Sequence, residues 1–162
     1  MSKKSIHIKE SGKGQAVFAG KKFIEGEFIV QFTGKVYSRE EYLNLHDPDN
    51  NHYIQIGDGI FMGPSGSEDD LINHSCNPNC GLKISNDGVF LYTIRDIERG
   101  EEITFDYSTT MNEDHWEMEC FCGDPNCRRK IKDYKHLPLD IKKHYMSLGI
   151  VPKHIIKSDT TR

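Results

Sequence analysis

The stretch Asn73-His74-Ser75-Cys76-Asn77-Pro78-Asn79-Cys80 is the part of the sequence around which the rest can be arranged. It combines amide, imidazole, hydroxyl and thiol groups with a proline turn, and only Leu71 and Ile72 lead into it as apolar residues. Side chains of these types, together with turn backbone, are what proteins use to hold polar ligands. Two later stretches are its expected partners: GEEITFDY at 100–107 and CFCGDPNC at 120–127.

Length and composition indicate one soluble, globular domain. The 162 residues are 36% hydrophobic and 28% charged, a balance typical of a chain that buries its own core. We expect neither a membrane span nor a secretory signal, because no apolar run approaches about 20 residues. The formal net charge of −4 argues against nucleic-acid binding and is compatible with a basic partner. The expected location is the cytoplasm, with a nuclear or host-delivered location as alternatives.

The clustering of the five cysteines indicates a metal site rather than a disulfide framework. Cys120, Cys122 and Cys127 form a C-x-C-x4-C pattern, and Cys76 and Cys80 form a C-x3-C pattern. A C-x-C pair is poorly placed to form its own disulfide, whereas tetrahedral zinc takes four thiolates. The first three cysteines would supply three ligands, and the fourth would be Cys76 or Cys80. Free, reduced thiols on a mobile tail are the alternative interpretation.

Frequent turn signals and short apolar runs predict a mainly β protein with few helices. Ser38 and Glu41 form the capping box of one short helix. Pro138 and Gly149 bracket a packing helix, and the tail beyond Ile156 is expected to fray. Strands are expected at 6–9, 15–19, 28–32, 52–56, 60–62, 82–85, 89–94 and 103–105, with a polar loop at 46–51.

Several features could belong to a site but also have an ordinary structural interpretation. Ser11-Gly12-Lys13-Gly14 lets backbone approach a ligand closely, or is simply a hairpin turn. Tyr107 ends a strand beside a polar turn, so its hydroxyl could enter a site or its ring could pack in the core. Glu101-Glu102 is interpreted as a solvated turn rather than a catalytic carboxylate pair. His74 and Cys76 are disfavoured as a base and nucleophile, because no orienting acid is evident.

Together these segments resemble the SET-domain protein-lysine methyltransferases. The resemblance rests on NHSCNPN at 73–79, on GEEITFDY at 100–107, and on the post-SET pattern at 120–128. The turn at 12–14 stands where that family has its N-terminal cofactor turn, and the matching elements run in family order. The resemblance implies small curled β-sheets around a pseudoknot, in three parts: a SET domain at 5–109, a post-SET zinc-binding segment at 116–132 and a C-terminal helical extension at 133–162.

The resemblance also implies S-adenosylmethionine as methyl donor, one structural zinc ion, and a lysine-containing protein or peptide as partner. Cofactor and lysine would enter from opposite faces and meet through a narrow channel. Trp116 and Phe121 are expected to cover the cofactor, because they are near the zinc cluster in the sequence. The remaining roles carried over are Tyr107 for catalysis, Lys13, Gly14, Gln15, Asn73 and His74 for the cofactor, Phe32, Phe105 and Tyr107 for the lysine channel, and Cys76, Cys120, Cys122 and Cys127 for zinc.

The implied chemistry suits these residue types. The amine must be neutral to attack a sulfonium methyl group, and an apolar aromatic channel lowers the lysine pKa. In this family, Phe two residues before the tyrosine accompanies the addition of two or three methyl groups, so Phe105 predicts di- or trimethylation. Leu82, where some members have a channel tyrosine, leaves substrate identity open. The alternatives are a catalytically silent, zinc-stabilised peptide-binding module and an unrelated zinc-ribbon interaction domain.

Overall fold

A computed structural model describes residues 4–45 and 52–160 of the chain, and this part is mainly β with few short helices, as predicted. The helices are α1 (Arg39–Leu43), α2 (Leu139–Ser147) and α3 (Lys153–Thr160), with 3-10 turns at Glu68–Leu71, Tyr107–Thr110 and Tyr134–His136. The strands are β1 (Ile6–Ser11), β2 (Gly14–Ala19), β3 (Phe28–Phe32), β4 (Val36–Ser38), β5 (Ile54–Gly57), β6 (Ile60–Met62), β7 (Asn73–His74), β8 (Cys80–Ser85), β9 (Gly88–Thr93), β10 (Thr104–Phe105), β11 (Met118–Glu119) and β12 (Lys130–Ile131).

The strands of the described residues form five small sheets instead of one large sheet. β1–β2 and β11–β12 are antiparallel pairs, and the three-stranded sheets have the orders β3-β9-β8 and β4-β6-β5. The β8–β9 hairpin contains the strands predicted at 82–85 and 89–94, and its pairing runs from Cys80 opposite Thr93 to Ser85 opposite Gly88. No helix within 4–45 or 52–160 is long and apolar enough to cross a membrane. The polar loop predicted at 46–51 lies outside the described residues.

Local signals in the sequence account for several element boundaries. The Ser38 hydroxyl accepts a hydrogen bond from the Glu41 amide at 3.2 Å, and the Glu41 carboxylate accepts one from the Ser38 amide at 2.8 Å. This reciprocal capping box starts α1 as predicted. Pro138 caps the start of α2, and Gly149, with a φ of 68°, follows its end. That left-handed φ is one a glycine adopts without steric cost.

The described residues form three hydrophobic clusters, the third of them around the cysteine segment, and the other two hold most of the fold together. The larger one lies among the sheets and includes fully buried Val17, Leu82 and Leu91. The second, which we call the C-terminal cluster, is formed by Tyr134, Leu137, Tyr145, Ile150, Val151 and Ile155. Ile141 and Leu148 pack against it, which confirms the predicted role of α2 as a packing helix.

The expectation that the tail frays beyond Ile156 is wrong, because α3 continues to residue 160. Ile155 is fully buried in the C-terminal cluster, and Lys142 of α2 forms an ion pair with Asp159 at 3.1 Å. A Cβ added at Gly81 would overlap the Ile150 side chain, so the α2–α3 connection packs directly on the backbone of β8. These contacts explain why the last helix stays ordered.

A parallel pairing of β7 with β10 forms the centre of the pseudoknot. Asn73 lies opposite Thr104 and His74 lies opposite Phe105. The amide of Ser75 then donates to the carbonyl of Phe105 at 3.1 Å, which extends the pairing by one residue. Two segments about thirty positions apart are thereby locked side by side, and their polar side chains converge.

Candidate functional site

Asn73 connects the pseudoknot to the N-terminal glycine turn. Its amide nitrogen donates to the Gln15 carbonyl at 3.3 Å and to the Glu102 carboxylate at 3.0 Å. Within the turn, the Ser11 hydroxyl donates to the Gly14 carbonyl at 2.9 Å. The interpretation of Glu102 as part of a solvated turn was therefore incomplete, because this carboxylate anchors Asn73.

The imidazole of His74 is enclosed by the protein on both of its nitrogens. The Tyr107 backbone amide donates to Nδ1 at 3.0 Å, and Nε2 lies 3.3 Å from the sulfur of Cys76. Burial lowers the pKa of His74 to about 4, so the ring is neutral near pH 7. The predicted contact between His74 and a cofactor would have to be made by the His74 backbone, because both ring nitrogens already have contacts within the protein.

Tyr107 contacts several other residues of the site. Its hydroxyl donates to the Ile72 carbonyl at 2.6 Å. Burial raises the pKa of Tyr107 above its ordinary value, and the negative charge of Glu102 raises it further, so the phenol stays protonated. Its ring centre lies 4.8 Å from that of Phe105 and 6.3 Å from that of Trp116.

A narrow cavity lies against one part of the Tyr107 ring, and we call it the aromatic pocket. Phe32 and Phe105 meet edge to face in its wall, with ring centres 5.5 Å apart. Its free volume of about 20 Å³ holds about one water-sized group. The remaining walls include apolar Ile72 and Met111, the ring of Trp116, and the acidic residues Asp69 and Asp70.

A second cavity also includes Tyr107 in its wall, and we call it the polar cleft. It is an open space of about 220 Å³ lined by Lys13, Asn73, His74, Tyr107 and residues 118–122, which include Phe121. Phe121 is 71% exposed here. An exposed aromatic ring beside polar groups offers a surface on which a flat ligand can stack.

The four predicted zinc ligands come together. The sulfur atoms of Cys76, Cys120, Cys122 and Cys127 all lie within 4.8 Å of one another, and those of Cys76 and Cys120 are 3.9 Å apart. Tetrahedral zinc with Zn–S bonds of ~2.3 Å requires sulfur separations of about 3.8 Å. The set therefore fits one zinc ion. Cys80 is fully buried in the larger hydrophobic cluster and does not belong to this group.

A buried ionic network, which sequence reasoning missed, joins the cysteine segment to the site. Arg128 donates to the Asp106 carboxylate at 2.8 Å, and the Tyr145 hydroxyl donates to its other oxygen at 2.7 Å. Asp106 also caps the turn of Tyr107 by accepting from the Ser108 amide at 3.0 Å. Asp106 and Arg128 both belong to the motifs quoted above, and their opposite charges were the available signal for this ion pair. Nothing in the sequence indicated Tyr145 as the third member of the network.

The structure separates some of the predicted site residues. Gln15 contacts Asn73 through its carbonyl and Gly14 shapes the turn, but neither is in the wall of the polar cleft. Trp116 lines the aromatic pocket, so its role as a cover for the cofactor stays a prediction.

Comparison with known proteins places this geometry among described families. A family model for the SET domain matches residues 14–108. The variant-silencing SET domain-containing protein of Plasmodium falciparum is 33% identical over 141 residues, covering 76% of this chain and 6% of that protein. The histone-lysine N-methyltransferase ash1 of Drosophila melanogaster is 31% identical over 130 residues, covering 74% and 6%. An H3 lysine-36 specific histone-lysine N-methyltransferase of Candida albicans is 31% identical, covering 71% and 15%.

Solved structures show the same fold. KRYPTONITE in complex with mCHH DNA, H3(1-15) peptide and SAH superimposes with a TM-score of 0.63 at 21% identity, covering 78% of this chain and 29% of that one. SUVH6 of Arabidopsis thaliana in complex with SAM gives a TM-score of 0.66 at 21% identity, covering 78% and 32%. This chain thus spans a small part of each of these larger proteins.

Proposed function

The chain belongs to the SET-domain family, and on that premise we propose that it transfers a methyl group from S-adenosylmethionine to a lysine side chain of a protein or peptide. The observation that carries the proposal is the position of Tyr107, which lines both the polar cleft and the aromatic pocket. A donor held in the cleft and an amine held in the pocket would meet at this residue. Relatives named as histone-lysine N-methyltransferases support the same reaction.

The polar cleft has the chemistry to hold the donor. Lys13 supplies a positive charge for a carboxylate, Asn73 brings the pseudoknot backbone to the cleft, and exposed Phe121 offers a stacking surface for adenine. When bound, S-adenosylmethionine supplies a sulfonium methyl group: the new N–C bond forms as the C–S bond breaks, and the methylated amine then gives up one proton. Solved structures of the fold that contain SAM or SAH support this ligand.

The aromatic pocket would prepare the amine. Its aromatic walls of Phe32, Phe105 and Tyr107 disfavour an ammonium ion and so lower the pKa of an entering lysine, whereas the acidic residues in the same walls act in the opposite sense. Tyr107 is not suited to be a general base, because its phenol is protonated and already donates to Ile72. Its function would be to orient the amine and exclude water, and alignment of reacting groups supplies much of the rate.

The residues that line the aromatic pocket also bear on the number of methyl groups added and on the charge of the substrate. Phe105 brings no hydroxyl into the pocket, so we propose that the amine can turn and accept two or three methyl groups. Asp69 and Asp70 at the pocket favour approach of a positively charged side chain, which supports a basic substrate segment. Replacing Phe105 by Tyr should shift products toward monomethyl-lysine, measured by mass spectrometry of the methylated peptide. An unchanged product ratio would contradict this assignment.

Methyl transfer from labelled S-adenosylmethionine into a protein extract tests the main proposal. We expect label on lysine with the parent protein and at least about 100-fold less with Tyr107→Phe, the scale of losing one oriented polar group. Tyr92→Phe is the matched control, because Tyr92 lies on β9 against Phe28, away from both cavities. Donor binding without any label would favour the silent peptide-binding module, and absence of donor binding by zinc-loaded protein would refute the reaction altogether.

A further inference from the structure

One buried side chain connects the cysteine cluster to Tyr107. The His74 ring is 2% exposed and lies edge-on to the ring of Tyr107, with centres 5.3 Å apart. One ring nitrogen contacts the backbone of Tyr107, and the other contacts the sulfur of Cys76. The family resemblance implies a cofactor role for His74, but its side chain is engaged within the protein and that role does not account for it.

Hydrogen-bond geometry decides which nitrogen carries the proton. A backbone amide can only donate, so Nδ1 must accept from Tyr107 at 3.0 Å. In the neutral ring the proton is then on Nε2, which points at the Cys76 sulfur 3.3 Å away. A zinc-bound thiolate is a hydrogen-bond acceptor, so an N–H donor in this position stabilises its negative charge and orients it.

The carboxylate of Asp106 does not compete for the ring. Its nearest oxygen is 3.6 Å from Nδ1, beyond hydrogen-bonding distance, and accepts from Arg128 at 2.8 Å. The other oxygen accepts from Tyr145 at 2.7 Å. The two contacts of His74 are therefore directed, with Tyr107 on one side and the metal ligand on the other.

We propose that His74 is a positioning residue that couples the zinc site to Tyr107. Its Nε2–H supports the Cys76 thiolate, and its Nδ1 holds the Tyr107 backbone so that the ring stays in the wall shared by both cavities. The role of Tyr107 in methyl transfer rests on the proposed function, whereas the contact with Cys76 does not. Zinc binding and tyrosine position would thus depend on the two separate nitrogens of one ring.

Two amide substitutions separate the two contacts. The amide of His74→Gln reaches the Nε2 position and can donate to Cys76, but it leaves the Tyr107 amide without an acceptor. The amide oxygen of His74→Asn occupies the Nδ1 position and can accept from Tyr107, but it does not reach Cys76. His154→Gln and His154→Asn are matched controls, because His154 of α3 contacts the Gln55 carbonyl outside the site.

The variants are compared by zinc release to a chromogenic chelator, by kcat and KM with saturating zinc, and by the NMR signal of the Tyr107 ring. We expect His74→Asn to release zinc about 10- to 100-fold faster with an unshifted Tyr107 ring signal. His74→Gln should keep slow zinc release but lose about 10- to 100-fold in kcat at little change in KM, with a shifted Tyr107 signal. The His154 variants should match the parent in all three.

Equal effects of both His74 variants on zinc release and on Tyr107 would overturn the coupling. If the parent transfers no methyl group, the proposed function fails, but zinc release and the Tyr107 signal still test the role of His74. If neither variant folds, the ¹⁵N shifts of the parent imidazole decide the matter. A protonated Nε2 supports the proposal, and a protonated Nδ1 refutes it.

Discussion

Removing the hydroxyl of Tyr145 should destabilise the protein much more than removing that of Tyr134. Both rings are buried in the C-terminal cluster. The Tyr145 hydroxyl donates to the Asp106 carboxylate at 2.7 Å, whereas the Tyr134 hydroxyl is buried without a hydrogen-bond partner among the described residues. Substitution by Phe keeps each ring in place, so the two variants differ in the hydrogen bond alone.

The size of the difference follows from the partner's charge. A hydrogen bond to a charged group contributes about 1.5–3 kcal/mol to the free energy of unfolding. The Asp106 side chain is 0% exposed, so water cannot replace the lost donor. Burial, and then the Asp106 charge, raises the pKa of Tyr145, so its proton stays available for donation. Tyr134→Phe should lie within about 0.5 kcal/mol of the parent or be slightly more stable, because it removes an unpartnered polar group.

Urea unfolding at constant zinc concentration measures both variants. For a loss of ~2 kcal/mol and an m value of ~2 kcal/mol/M, the midpoint of Tyr145→Phe should fall by about 1 M. Its Tm should fall by about 4–8 °C. Zinc content must be equal in the parent and both variants, so that metal loss does not account for the shift.

Two results would refute the reasoning. If Tyr145→Phe lowers the free energy of unfolding by less than about 0.5 kcal/mol, the hydroxyl does not stabilise the buried carboxylate. If Tyr134→Phe is equally destabilising, the effect belongs to the cluster as a whole and not to the link between α2 and Asp106.

Three further predictions address the metal, the packing and the pH dependence. Metal analysis should find one zinc ion per chain in Cys80→Ala, whereas Cys76→Ala should lose its zinc to a chelator. Equal zinc retention by the two variants would exclude Cys76 as a ligand. Gly81→Ala should lower the free energy of unfolding by about 1–3 kcal/mol through overpacking, whereas Gly12→Ala should not, because the space around Gly12 is open. Equal free energies of the two variants in urea unfolding would contradict this packing. Burial lowers the pKa of His154 from 6.5, so as the pH falls the unfolded chain protonates this imidazole before the folded protein does. The stabilisation that comes from the neutral ring is therefore fully present above pH 6.5 and is lost as the pH drops toward the folded-state pKa. His154→Gln should make the unfolding free energy flatter as the pH falls below 6.5. An unchanged slope would show that His154 is not buried as described.

The local elements of the fold could be predicted because their causes are local. Turn residues and short apolar runs set the strands, and the Ser38 capping box set the start of α1. The two-residue turn before Gly88 set the β8–β9 register. Helix α3 could not be predicted this way, because burial of Ile155 against α2 stabilises it.

The candidate site, too, could be predicted from the sequence only in part. Residue types and spacing alone indicated a zinc site and a tyrosine beside a polar motif, and the family motifs supplied expected roles. Spacing did not decide between Cys76 and Cys80, because both are far in sequence from Cys120, whereas the family resemblance indicated Cys76. The chain path brings Cys76 within 3.9 Å of Cys120 and buries Cys80 in the core.

The sequence by itself therefore determined most of the strands and turns, the chemical types at the site and the family, but not the short strands β4, β7, β11 and β12. The tertiary structure decided which of these groups meet. It joined Asp106 to Tyr145 and placed His74 between Cys76 and Tyr107. The physical reason is that such contacts form between segments up to several tens of residues apart, where directional hydrogen bonds and burial select partners that no local pattern encodes.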